Sequence, residues 1–156
     1  DRFILSQQGE MGFEVPAGIG CCLSNLKKQN VVLVGDGAFQ FNIQELQTIY
    51  HHQFNLKIIL VNNNGYCCIR NTQKNYFNNI VGCDKDSGLS FPNHKSIAKA
   101  YQIDYISIKD INELDEKLSH VFSLNKPIIC EVYCMDQERY PKLEAVKNED
   151  GTFETK

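Results

Sequence analysis

The sequence predicts an α/β domain built on a doubly wound, mainly parallel sheet with helices on both faces. Three observations predict it. Short continuous apolar runs, such as Val31-Val32-Leu33-Val34 and Leu56 to Val61, read as strands buried on both faces. Segments with apolar residues at helical spacing alternate with those runs, as a βαβ chain requires. Turn clusters rich in Gly and Asn stand directly after two of the runs, at Gly35-Asp36-Gly37 and Asn62-Asn63-Asn64-Gly65.

The elements follow in order. Phe13 to Leu26 is apolar on nearly all sides, with Pro16 in its first turn and Gly18 and Gly20 inside. It reads as a buried helix that approaches another backbone closely. Val31–Val34 is the first strand. Phe39, Ile43, Leu46 and Tyr50 recur at helical spacing and predict one amphipathic helix. Leu56–Val61, interrupted only by Lys57, is the second strand. Residues 66–92 are polar, aromatic and irregular, and predict a long loop with at most a short helix. Asn93 is placed to cap a helix to about Tyr101. Asp104–Ile108 is the third strand. Asp110 and Glu113 have capping-box spacing for a helix to about Leu124, which Lys126-Pro127 stops. Ile128–Tyr133 is the fourth strand. The reading is one domain over residues 1–145, with a polar tail at 146–156. Phe3-Ile4-Leu5 reads as the end of a preceding element, so the chain is expected to be a fragment.

Composition narrows the function. The chain has 156 residues, is 42% hydrophobic and 22% charged, and carries a net charge of −3. A nucleic-acid partner needs a basic face, and Lys27-Lys28 is the only basic doublet. No apolar run reaches the length of a membrane span, and residues 1–20 lack the pattern of a signal peptide. The seven cysteines form no CxxC, and the four histidines form no HExxH. Reduced thiols and a cytoplasmic location are therefore expected.

The chemistry is concentrated in the two turn clusters. Parallel sheets bind ligands outside the carboxyl ends of their strands. One crossover between the first two strands brings Asp36 and Asn63, 27 positions apart, to the same edge. Mg²⁺ is a hard cation that takes oxygen ligands, often one or two carboxylates plus substrate phosphates. Asp36 offers a carboxylate oxygen, Asn63 an amide oxygen and Gly65 a turn carbonyl. Gly37 lets the backbone approach a phosphate, and a helix starting near Ala38 directs N–H groups toward it.

Gly35-Asp36-Gly37 followed by Asn62-Asn63 resembles the signature of thiamine-diphosphate enzymes. Gly9-Glu10-Met11-Gly12-Phe13 and Pro16-Ala17-Gly18-Ile19-Gly20 resemble a segment of acetolactate synthases and related decarboxylases. The similarity covers residues 3 to about 145 and points to the C-terminal, diphosphate-binding domain. It implies thiamine diphosphate and Mg²⁺ as cofactors, with Asp36, Asn63 and the Gly65 carbonyl on the metal. Gly37 and Ala38 would offer N–H groups to the diphosphate. The Gly9 carbonyl and the Met11 N–H would hold the aminopyrimidine, with the Met11 side chain under the bent cofactor. The resemblance further implies a 2-keto acid decarboxylase or carboligase working as a homodimer or homotetramer. Its catalytic glutamate would lie on a pyrimidine-binding domain of the same or a neighbouring subunit, so this chain holds no catalytic residue of its own and is expected to be inactive alone.

Arg70 and Gln73 match the acetolactate synthase pattern after Gly65. Thr72 stands where those enzymes carry the tryptophan that helps choose the second keto acid, and Ala38 stands where many carry Ser or Thr. Glu10 reads as a charge on a solvated rim or as a substrate-facing acid. The loop from Asn71 to Leu89 reads as a site cover or as a subunit contact. The other readings are a keto-acid decarboxylase, an oxidase or a sugar-acceptor carboligase using the same cofactor, and a non-catalytic flavodoxin-like domain binding Mg²⁺ and phosphate.

Overall fold

A computed structural model of the chain describes residues 4–6 and 8–134, together with the backbone of 145–147 and 153–155. Four strands, β1 (Asn30–Gly35), β2 (Leu56–Asn62), β3 (Asp104–Ile108) and β4 (Ile128–Tyr133), form an all-parallel sheet in the order β1-β2-β4-β3. Each lies within a residue of its predicted bounds. Two further short strands, β5 (Ala145–Lys147) and β6 (Phe153–Thr155), pair antiparallel across the predicted boundary at residues 145 and 146.

The helices are α1 (Glu14–Ser24), α2 (Asp36–Phe39), α3 (Leu46–His52), α4 (Cys67–Phe77), α5 (His94–Ala100) and α6 (Leu114–Ser123). Parallel crossovers are right-handed, so the direction of each strand step decides which face its helix covers. The steps from β1 to β2 and from β2 to β3 run one way. Residues of α1, α2, α3 and α5 pack with Val32, Val34, Leu56, Ile58 and Leu60 on one face. The step from β3 to β4 runs back, and α6 packs with Ile106, Ile108 and Cys130 on the other. The sheet is therefore doubly wound, as the sequence predicts.

Four expectations need correction. β1 is not buried on both faces: Val32 and Val34 are buried, while Val31 and Leu33 on the other face are exposed. The helix over Phe39 to Tyr50 is broken. α2 runs into a 3-10 helix (Gln40–Glu45) that carries non-helical backbone at Asn42, with φ −138° and ψ 35°, before α3 begins. Residues 66–92 contain α4, an eleven-residue helix. And α1 is not buried all round. It buries Val15, Gly18, Ile19 and Cys22, while Leu23 and the following Leu26 are exposed. The expected approach to another backbone is not seen: a Cβ on Gly18 would stand 2.3 Å from the Val32 side chain, and one on Gly20 would meet nothing within 4 Å. The caps form. Asn93 Oδ1 accepts the Ser96 N–H at 2.9 Å. Asp110 Oδ1 accepts the Asn112 N–H at 2.8 Å, and Glu113 reaches back to the Lys109 N–H at 3.1 Å.

Lys57, the one polar residue predicted inside β2, is fully buried. Its three ammonium protons have three acceptors: Asn55 Oδ1 at 2.6 Å, the Leu124 carbonyl at 2.8 Å and the Lys126 carbonyl at 2.6 Å. Burial, and then Lys126, push its pKa down. The ammonium closes the carboxyl end of α6, where a cation is favoured.

Candidate functional site

The register puts three strand ends on one edge: Gly35 pairs with Val61, Val61 with Val132 and Asn62 with Tyr133. Asp36 follows β1 at that edge and Asn63 follows β2. The structure brings the two clusters together. Asp36 Oδ2 accepts the Gly65 N–H at 3.0 Å, and Oδ1 accepts the Gly37 N–H at 2.8 Å. Gly37, expected to offer its N–H to a phosphate, thus already spends it on Asp36. The turn that makes this possible carries Asn64 at φ +60° and Gly65 at φ +136°. The second value suits glycine alone.

The donor set has the character of a cation site. Asp36 is 2% exposed. Burial pushes its carboxyl pKa up, and the N–H groups of Gly65, Gly37 and Asn63, together with His94, only partly draw it back. In the turn whose Gly65 N–H binds Asp36, Asn63 Oδ1 is buried and has no hydrogen-bond partner. A buried acceptor left unpaired is costly, and a cation is one partner that would satisfy it. Among the described residues, no group of three or more His, Cys, Asp and Glu could hold a metal. One carboxylate with amide and carbonyl oxygens suits a hard cation that takes its remaining ligands from phosphate and water.

The Gly9–Met11 segment lies against this edge. A Cβ on Gly37 would stand 3.3 Å from the Met11 methyl group and 2.2 Å from the Tyr66 ring. Met11 is 39% exposed, so it is no core residue. It lines an open cleft of about 590 Å³ together with Leu5, Glu10, Phe13, Pro16 and Asn42. Glu10 is exposed, as a rim charge would be. Sequence reasoning missed Asn42. Its Nδ2 donates to the Gly12 carbonyl at 2.7 Å, so the break in the helix aims a side chain that fixes the Gly9–Gly12 turn.

Arg70 and Gln73 prove to be anchors. Arg70 is 3% exposed, pairs with Asp84 at 3.3 Å and reaches the Asn63 carbonyl at 3.5 Å. Gln73 makes two hydrogen bonds to the Val81 backbone. The Cys83 carbonyl accepts the Tyr66 N–H at 2.8 Å. The segment after α4 is thereby fastened to the turn that follows β2. Thr72 is exposed and bonds back to the Cys68 carbonyl.

Comparison with known proteins agrees with this geometry. Residues 1–132 match the family described as thiamine pyrophosphate enzyme, C-terminal TPP binding domain. The chain belongs to this family. It is 30% identical over 133 residues to the acetolactate synthase large subunit of Lactococcus lactis, covering 83% of this chain and 22% of that protein. It is 26% identical over 136 residues to the acetolactate synthase large subunit of Cyanidium caldarium, covering 86% and 23%. Uncharacterized protein MJ0663 of Methanocaldococcus jannaschii is 28% identical over 141 residues, covering 86% and 24%. The chain thus spans about a quarter of the length of these relatives.

This thiamine pyrophosphate enzyme domain also carries a buried polar network that the sequence reading did not single out. Glu131, on β4, is 1% exposed. Its Oε1 accepts Asn62 Nδ2 at 2.6 Å and lies 2.8 Å from His94 Nδ1, while Oε2 accepts the Tyr105 hydroxyl. Burial pushes the carboxyl pKa up, but hydrogen bonds from His94, Tyr105 and Asn62 outweigh it and bring the value to about 2. A carboxyl depressed on folding adds stability above its ordinary value of 4.5 and loses it as the pH falls toward 2. Glu131→Gln is therefore expected to flatten the acid limb of stability in that window, read by urea unfolding at a series of pH values. An acid limb identical to that of the parent would contradict this. A lone glutamate within the apolar run Ile128–Tyr133 was the available signal.

Proposed function

We propose that this chain is the Mg²⁺- and diphosphate-binding part of a thiamine-diphosphate-dependent 2-keto acid decarboxylase or carboligase resembling acetolactate synthase. The observation that carries the reading is the buried, unpartnered Asn63 Oδ1 in the turn whose backbone N–H groups bind the buried Asp36 carboxylate. Asp36, Asn63 and the Gly65 carbonyl hold the metal. Gly37 and Ala38 line the diphosphate. The Gly9 carbonyl and Met11 N–H receive the aminopyrimidine, and the Met11 side chain supports the cofactor from below. The bound cofactor supplies the carbanion chemistry of decarboxylation and carbon–carbon bond formation. The protein's part is to bind, orient and keep the metal oxygens in place.

The catalytic glutamate belongs to a pyrimidine-binding domain of the same or a neighbouring subunit in a homodimer or homotetramer, in a cytoplasmic enzyme. Calorimetric titration of thiamine diphosphate into the protein tests the reading. Binding is expected to require Mg²⁺, and equal binding in EDTA would overturn it. The 156-residue chain by itself is expected to show no turnover of pyruvate; robust turnover would refute the shared-site assignment. A second reading, a related enzyme with another acceptor, is favoured by the exposed Thr72 where acetolactate synthases carry tryptophan. Product analysis with pyruvate, alone and with candidate aldehydes, separates the two.

A further inference from the structure

Among the described residues, and leaving the thiols aside, five polar or charged residues are buried: Asp36, Lys57, Arg70, His94 and Glu131. Asp36 belongs to the proposed metal site, Lys57 closes α6, and Arg70 anchors the segment after α4. Glu131 and His94 remain without a task. A buried carboxylate contributes little to stability that a packed apolar side chain could not supply, so its contacts identify its role. Three groups converge on Glu131, and one of them, Asn62, opens the metal-side turn.

We propose that Glu131 is a positioning residue for the metal-holding turn Asn62–Gly65, acting through Asn62. This rests on the metal reading given above. Asn62 uses both ends of its amide. Nδ2 donates to Glu131 Oε1 at 2.6 Å, and Oδ1 accepts the Asn64 N–H at 3.0 Å. The Asn62 carbonyl accepts the Cys134 N–H at 2.8 Å, so a second bond ties the same residue to the end of β4. With the side chain and backbone of Asn62 both fixed, the chain is carried into the left-handed conformation of Asn64 at φ +60° and then Gly65 at φ +136°. That path leaves Asn63 Oδ1 buried and unpaired and delivers the Gly65 N–H to Asp36. A second arm runs through His94. Its Nδ1 meets Glu131, and its ring packs edge-on to Phe39 at 5.8 Å, in the helix that begins at Asp36. One carboxylate on β4 thus braces the turn that follows β2 and, through His94, the helix that follows β1. Groups of this kind behind metal ligands commonly change affinity by about 10–100-fold.

The test uses the whole chain and two variants, Glu131→Gln and Asn62→Ala, with two readouts. The first is affinity for Mn²⁺ alone, followed by electron paramagnetic resonance. The second is amide hydrogen exchange. Both variants are expected to lose about tenfold in Mn²⁺ affinity. Exchange at the Asn64 and Gly65 amides should accelerate about tenfold, while amides of β1 and α6 keep their parent rates. Parent-level affinity and parent-level exchange at Asn64 and Gly65 would overturn the proposal, as would acceleration spread evenly over the sheet, which a merely structural role predicts. If Glu131→Gln does not fold, Asn62→Ala decides, because it removes the same link while the Glu131 carboxylate keeps His94 and Tyr105. Asp36→Ala separates the two levels. Undiminished Mn²⁺ affinity in that variant defeats the metal reading, and exchange at Asn64 and Gly65 still judges the role of Glu131.

Discussion

Asp36→Ala is expected to lower Mg²⁺-dependent affinity for thiamine diphosphate by about 100-fold or more in the complete enzyme, more than the loss of a group behind the ligands. The carboxylate is the only anionic side chain proposed on the metal. The N–H groups of Gly65, Gly37 and Asn63 do not exhaust the lone pairs of its two oxygens, so it can still bind a cation. Removing it takes away the charge that a divalent ion requires and also unpairs the Gly65 N–H that helps set the turn. The cost to folding is expected to be smaller than the cost to binding. Burial already disfavours the charged form of Asp36, so the free protein loses little by giving it up. Calorimetry and urea unfolding on the same variant separate the two effects. Unchanged cofactor affinity would remove Asp36 from the site.

Gly65→Ala is expected to destabilise the fold by about 3 kcal/mol or more. Two independent causes add. The backbone at φ +136° lies where side-chain-bearing residues are strained. A Cβ there would also stand 2.0 Å from the Cys83 carbonyl oxygen, which is backbone and cannot swing aside. Relief would pull the Cys83 carbonyl off the Tyr66 N–H and move the Gly65 N–H off Asp36. Metal affinity should therefore fall together with the urea midpoint. A loss below about 1 kcal/mol would show that the turn has slack where the structure has contact.

The four strands and the meeting of Asp36 with the Asn63 turn were legible because parallel strands must be apolar on both faces and must end at polar turns. Val31–Val34 and Leu56–Val61 state both facts within a few residues. The helices were less legible. α4 buries only Arg70, so no apolar stripe marks it. The break at Asn42 was hidden because Phe39, Ile43 and Leu46 keep helical spacing across it. α1 looked buried all round because Leu23 and Leu26 are apolar, yet they are exposed. The braces behind the site were hidden by distance along the chain: His94 and Glu131 lie 37 positions apart and join only when β4 inserts between β2 and β3. Arg70 and Gln73 matched a family pattern, but the pattern could not say that they hold the Asp84 and Val81 segment.

The two turn clusters are proposed to form one metal–diphosphate clamp. A crystal structure with Mn²⁺ in place of Mg²⁺ and with thiamine diphosphate, read at the manganese absorption edge, tests it most directly. The account predicts one anomalous peak roughly 2.1 Å from Asp36 Oδ, Asn63 Oδ1 and the Gly65 carbonyl oxygen, with diphosphate oxygens completing the shell. A manganese peak that leaves Asn63 Oδ1 unliganded, or lies away from Asp36, would contradict it.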